Sequence, residues 1–265
     1  MKIFISVDIE GITGVTDWNE TVYGGQGYEE ACRQMTAETV AACEAAMELG
    51  YDVVVKDGHG DANNIDINEL PRGVQLIKGW MVSPAAMMGG LDESFAGVVY
   101  IGYHSAEGTD TSPLSHTIEH ELFNYMKLNG KLTSEFSMNS LWAAGYGVPS
   151  IFISGDKGIC DQALEENPDI EVFATKECVG NATINVHPQE SIEKIKLGVK
   201  KALEKTHKKP LLEDEYTLEI CFKEHQKARC ASWYPGAIRI DSTTVSYTAK
   251  EPKELMTARM FMTGI

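Results

Sequence analysis

Basic residues are scarce: 23 Lys and Arg stand against 39 Asp and Glu in 265 residues, a formal net charge of -16 at pH 7. That deficit excludes non-specific attraction to DNA, RNA or an anionic membrane surface. No apolar run approaches the roughly 18 residues that span a bilayer. Asp8 and Glu10 also interrupt the N-terminal stretch where a signal peptide needs unbroken apolar residues. A cytoplasmic protein is expected, with neither nucleic acid nor membrane as partner. The six cysteines, Cys32, Cys43, Cys160, Cys178, Cys221 and Cys230, contain no Cys-x-x-Cys pair and form no dense framework. Reduced thiols that pack as small hydrophobes are therefore expected, rather than disulfides, a zinc site or a thiol nucleophile. Gly-x-Gly-x-x-Gly and Gly-x-x-x-x-Gly-Lys-Ser/Thr are both missing, and two carboxylates stand where a pyrophosphate would sit, which argues against nucleotide binding. No Gly-x-Ser-x-Gly elbow occurs, and adjacent residues such as Ser115 and His116 rarely meet as nucleophile and base.

What is present reads as an alternation of strands and helices. Lys2 to Asp8 is a short apolar run of the kind buried on both faces of a sheet. Glu29 to Gly50 is rich in Ala, Glu and Met, carries no proline and ends in glycine, which predicts a helix with its C-terminal cap. DVVVKDG then supplies a second strand, and the order strand, helix, strand predicts a parallel βαβ unit. Ala96 to Tyr103 and Val148 to Asp156 repeat the pattern, with an Asn129-Gly130 hairpin and a helix from Glu135 to Tyr146 between them. A helix over Gln189 to Lys205 is expected next. Beyond it lie strands near Tyr216 to Phe222, Ala237 to Asp241 and Val245 to Tyr247, and a final helix from Pro252. The fold class is α/β, a mostly parallel sheet flanked by helices, with a smaller mixed α+β C-terminal part. The change of texture near Pro210 suggests an α/β catalytic domain over residues 1–209, and a subdomain or oligomer contact over residues 210–265.

In open α/β sheets ligands bind beyond the carboxyl ends of the strands. The first strand ends in Asp8-Ile9-Glu10-Gly11, with two carboxylates on one side of an extended chain. The second ends in Asp57-Gly58-His59-Gly60-Asp61 and the third in Gly102-Tyr103-His104-Ser105. Taken singly, each residue reads better as a helix cap or a hydrogen-bonded loop residue than as a metal ligand. Together, Asp8, Glu10, His59 and His104 at three strand exits are what a di-metal hydrolase needs, with Asp8 as the bridge. His116, in the loop after the third of these strands, could reach the same rim. His120, between Glu119 and Glu121, reads as a surface residue, and His187, His207 and His225 receive no role.

Ser6-Val7-Asp8-Ile9-Glu10-Gly11, His59, Gly102-Tyr103-His104, Ser115-His116 and Glu135-Phe136-Ser137-Met138-Asn139 run in this order along most of the chain. Together they resemble the zinc-dependent D-aminopeptidases of the bacterial dipeptide-transport type. The resemblance implies one zinc ion held by Asp8, Glu10 and His59, and a second that shares Asp8 and adds His104 and Glu135. It implies a catalytic histidine at His116 and a homo-oligomer, a ring-like decamer with its active sites facing an internal cavity. The implied reaction removes N-terminal D-residues, notably D-Ala, from short peptides. Two positions depart from the family pattern, Gly58 in place of Ser and Ser105 in place of Ala. Both leave the ligands intact and bear on the shape of the pocket.

On this basis two zinc ions bridged by Asp8 would hold a hydroxide near neutral pH, with His116 assisting the nucleophile, the oxyanion and the departing amine. Manganese or cobalt would suit the same donors. The alternatives are another di-metal hydrolase, an amidase or phosphoesterase, or an inert metal- or peptide-binding oligomer.

Overall fold

Lys2–Val7 (β1) is apolar on both faces because both faces are covered. Ile3, Ile5 and Val7 enter one core with the alanines of the helix Tyr28–Glu48 (α1), while Phe4 enters a second core on the opposite side. The computed structural model describes residues 1–265. After α1 the chain continues through β2 (Asp52–Asp57), β3 (Gln75–Ile77), β4 (Phe95–Tyr103), β5 (Phe123–Leu128), β6 (Lys131–Leu132) and α2 (Glu135–Gly145). Then follow β7 (Ser150–Asp156), α3 (Lys157–Glu166), β8 (Glu171–Val179), β9 (Ala182–Asn185) and α4 (Pro188–Glu204). The last elements are β10 (Tyr216–Phe222), α5 (His225–Ala231), β11 (Ile238–Arg239), β12 (Thr244–Ala249) and α6 (Pro252–Thr263).

The large sheet has the order β3-β2-β1-β4-β7-β8-β9. All neighbours are parallel except β8 and β9. The expected α/β class is borne out. From β1 the chain winds outward to β2 and β3, then returns to the other side of β1 as β4, so the order reverses between β1 and β4. Side chains leaving the ends of these two strands diverge into a crevice, the usual ligand position in such sheets.

A second, antiparallel sheet has the order β11-β12-β10-β5-β6. It draws on both sides of Pro210, because the Asn129-Gly130 hairpin pairs through β5 with β10. Leu218 and Ile220 of β10 and Leu255, Met256 and Ala258 of α6 share the core that covers the Phe4 face of the large sheet. This packing brings the end of α6 to the crevice. The six cysteines are all free thiols, and no helix is long and apolar enough to cross a membrane.

Candidate metal centre

The end of β1 is stitched to β4 by backbone. Asp8 N donates to Ile101 O (2.8 Å) and Gly11 N to Gly102 O (2.8 Å). The two chains approach so closely that a Cβ on Gly11 would lie 1.8 Å from Tyr103 O, so no other residue fits there without moving backbone. The loop beyond is tied to β8 by Lys176. This fully buried lysine donates to the carbonyl oxygens of Glu10, Ile12 and Val15. Asp8 and Glu10 are thus held by main-chain anchors, leaving their carboxylates free to face the crevice.

His59 follows β2. Asp57, just before it, spends its carboxylate on Asn64 N, Asn64 Nδ2 and Ile65 N, at 2.6–2.9 Å, and so shapes the loop that presents the imidazole. His59 Nε2 donates to Thr21 O (2.7 Å), which turns Nδ1 toward Glu10 Oε2 (3.2 Å) and Asp8 Oδ1 (3.3 Å). His104, at the end of β4, donates from Nδ1 to Ser105 O (3.0 Å) and places Nε2 at 3.4 Å from Asp8 Oδ2 and 3.5 Å from Glu135 Oε1. Glu135 is the first residue of α2, whose start is fixed by the Ser134 capping box. Its Oε1 also accepts the backbone N–H of Ile118 (2.8 Å). Ile118 has φ +70°, a strained conformation for a β-branched residue that costs about 1–3 kcal/mol and occurs mainly at functional sites.

His116 completes the cluster. It donates from Nδ1 to Leu114 O (2.9 Å), so Nε2, 3.5 Å from Glu135 Oε1, is the proton-accepting nitrogen of the neutral ring. The ring stacks on His104, with centroids 4.1 Å apart, and meets the edge of Trp18. All three histidines therefore commit one nitrogen to a backbone carbonyl and turn the other toward the carboxylates. Backbone hydrogen bonds of this kind fix the tautomer and orientation of metal-ligating histidine.

The test of whether a cation fits is the hydrogen-bond inventory. Asp8 Oδ2, Glu10 Oε2 and His104 Nε2 are buried and have no hydrogen-bond partner, although buried polar atoms are otherwise almost always paired. Ligand atoms of Asp8, Glu10 and His104 lie within 4.8 Å of one another, as do those of His104, His116 and Glu135. Three carboxylates in one dry pocket need positive charge, and divalent cations with N and O ligands supply it. The donor set fits.

The electrostatics of the protein alone agree. Burial and the neighbouring Glu10 push the Asp8 carboxyl up to about 8. Burial opposes ionisation of Glu135 as well, but His104 brings it down to about 2. Burial would lower His104, yet Glu135 and Asp8 raise it to about 10. Against the same burial, His59 is raised well above its usual value by Glu10 and Asp8, and Glu10 in turn is held well below the usual carboxylate range by His59. His116 is lowered, by burial and by His104. At pH 7 the cluster therefore stores protons on Asp8, His59 and His104, and ligation must displace them. Metal binding at pH 7 is expected to release protons, and apparent affinity should rise with pH up to at least about 8, where Asp8 ionises. Calorimetry in two buffers of different ionisation enthalpy measures the release, and an enthalpy independent of buffer contradicts this arrangement.

All six residues expected at the site, Asp8, Glu10, His59, His104, His116 and Glu135, thus stand in one cluster. His187, His207 and His225 do not line the cleft that contains it. His120 does: its ring stacks on Trp18 with centroids 4.2 Å apart, so the residue that read as surface is part of the cleft wall. Nothing in the polar sequence around His120 signals this, because the contact depends on the loop after β1 folding across the end of β4. Of the two departures from the family pattern, Ser105 turns away from the cleft, with Oγ donating to Asp156 Oδ1 (2.5 Å). Gly58 lines the cleft.

The fold and this cluster define an α/β protein with a candidate metal centre of carboxylates and histidines at the switch point of its parallel sheet. The family model for D-aminopeptidases, peptidase family M55, matches residues 1–261. The chain belongs to this D-aminopeptidase family, and the expectation of a metal-dependent D-aminopeptidase is borne out. A D-aminopeptidase of Bacillus subtilis (strain 168) is 30% identical over 270 residues, covering 100% of this chain and 97% of that protein. The solved structure of the Zn-dependent D-aminopeptidase DppA from Bacillus subtilis, described as a self-compartmentalizing protease, superposes with a TM-score of 0.92. It is 29% identical and covers 100% of this chain and 97% of its own.

Proposed function

We propose that the protein hydrolyses N-terminal D-residues, such as D-Ala, from short peptides with two zinc ions per chain. Asp8, Glu10 and His59 would hold one ion; Asp8, His104 and Glu135 would hold the other. The observation that carries this reading is the set of buried, unpartnered ligand atoms on Asp8, Glu10 and His104. Zinc supplies Lewis acidity toward a carbonyl oxygen and brings the pKa of a water molecule down to about 7. Manganese or cobalt would suit the same donors.

The remaining chemistry belongs to His116. Its depressed basicity keeps the ring neutral, and its Nδ1–H is committed to Leu114 O, so Nε2 is the atom that takes a proton. It accepts one from water and delivers it to the departing amine. Trp18, edge-on to His116 and stacked on His120, holds the ring in place and shields it from bulk water. By analogy with the relative described as self-compartmentalizing, the working form is a homo-oligomer; the family resemblance makes it a decamer with its clefts facing an enclosed space. The test is hydrolysis of D-Ala and L-Ala anilides by zinc-loaded protein, with and without chelator. The D-substrate is expected to be favoured by about 100-fold or more, the level of discrimination a shaped site achieves, and chelator should abolish turnover. Equal rates on the two, or turnover that survives the chelator, would overturn the reading.

A further inference from the structure

The cleft that contains the centre is far larger than D-alanine requires. Its volume is about 870 Å³, near the top of the roughly 300–1,000 Å³ typical of ligand pockets. A residue whose side chain is one methyl group would leave most of it empty. Asp8, Glu10, His59, Glu135 and His116 line it. Its mouth is apolar, built from Tyr23, Trp80, Val82, Phe261 and Ile265. Tyr23 is 94% exposed, Val82 78% and Phe261 65%. On a chain with a net charge of -16, exposed apolar side chains gathered around one cleft mark a binding surface. No lysine or arginine lines the cleft, and the mouth's ionisable residues include the acids Asp61 and Glu119. An apolar side chain would find partners there.

Separate parts of the chain supply this mouth. Phe261 and Ile265 come from the last turn of α6 and the residues after it, where Gly264 (φ 80°) turns the chain back. Fully buried Arg259 donates from Nη1 to Ile265 O (3.0 Å), which fixes that turn. The Tyr23 ring packs edge-on against Tyr28, whose hydroxyl donates to Asn64 Oδ1 (2.7 Å).

This inference rests on the aminopeptidase reading of the site. In such a site the residue with the free amino group lies beside the ligands, and the rest of the peptide leaves through the mouth. We infer that the mouth is a subsite for a bulky apolar side chain on the residue that follows the scissile bond, with Phe261 and Tyr23 among the residues that line it. One apolar side chain in such a pocket changes kcat/KM by about tenfold or more.

The experiment compares kcat/KM of the full zinc-loaded chain on D-Ala-Leu-NH2, D-Ala-Phe-NH2 and D-Ala-Gly-NH2, with D-Ala anilide as a control. The Leu and Phe substrates are expected to exceed the Gly substrate by about tenfold. Phe261→Ala should collapse that ratio toward one, and Tyr23→Ala should lower it in the same direction. Equal rates on the Leu and Gly substrates in the unaltered protein overturn the subsite. So does a ratio untouched by both substitutions. A change in oligomeric mass with the ratio intact assigns the rim to subunit contact and overturns it too. Hydrolysis of D-Ala anilide in those cases leaves the aminopeptidase reading standing. Failure on every D-substrate removes that reading first, and the subsite with it.

Discussion

Asp8→Asn is expected to lose metal and activity together while making the metal-free protein more stable. Asp8 is the carboxylate that reaches both histidines, at 3.3 Å from His59 and 3.4 Å from His104. An amide cannot supply the bridging negative charge, so metal content should fall from two ions per chain toward none, and kcat/KM by about 10⁴-fold or more. The stability effect has the opposite sign. Burial and Glu10 raise the Asp8 carboxyl to about 8 in the metal-free fold. A carboxyl raised on folding contributes its full stability only below its unfolded pKa, and loses it as pH rises through the folded value. Metal-free wild-type protein should therefore weaken between about pH 4 and pH 8 at this position, and the neutral amide escapes that cost. The advantage at pH 7 should be about 1–3 kcal/mol, less than the bare shift implies because Asp8 also favours the protonated forms of His59 and His104. Zinc should raise the melting temperature of the wild type and leave the variant unmoved. Thermal melts at several pH values with and without zinc read all of this, and a variant that still binds two ions would remove Asp8 from the bridging position.

His116→Ala is expected to lower kcat by about 10²- to 10⁴-fold, the usual contribution of a positioned acid–base group, with two metal ions per chain retained. The measurement is discriminating because geometry permits a second role. His116 Nε2 stands 3.5 Å from Glu135 Oε1 and belongs to the same ligand-competent group as His104 and Glu135. Loss of one ion per chain would make His116 a ligand. Wild-type turnover in the variant would remove it from the reaction altogether. The fold should survive in either case, since the ring's one hydrogen bond is to a backbone carbonyl and its other neighbours are aromatic rings and the Glu135 carboxylate.

Much of this site was legible because each of its strands ends in its own chemistry. The apolar run of β1 passes directly into Asp8 and Glu10, that of β2 into His59, and that of β4 into His104, and parallel strands in one sheet put all three exits on one edge. Glu135 was different. It follows an N-cap serine at the start of a helix, where a carboxylate is ordinary, and only the family resemblance singled it out. His120 and Trp18 stayed hidden because their stacking joins residues about a hundred positions apart in loops without periodicity. Helices α3 and α5 and the strands β3, β8 and β9 carry short or weakly patterned sequences that local reading did not isolate. The strand near Ala237 to Asp241 is shorter than expected, reduced to Ile238–Arg239 at the edge of its sheet.

By itself, the sequence determined the local elements and the kinds of donors they present. Strand and helix periodicity, caps and turn residues act over a few positions, and the choice of Asp, Glu and His at the strand ends sets what chemistry is available. Tertiary structure alone decided which donors meet and which atoms stay free. The order of β1 beside β4, the lysine from β8 that grips the loop after β1, and the strained Ile118 N–H on Glu135 are long-range arrangements. So is the second sheet, where β5 pairs with a strand some ninety residues further along and α6 is carried to the mouth of the cleft. Such pairings are settled by burial and backbone hydrogen bonding summed over the whole chain, and no window of neighbouring residues contains that sum.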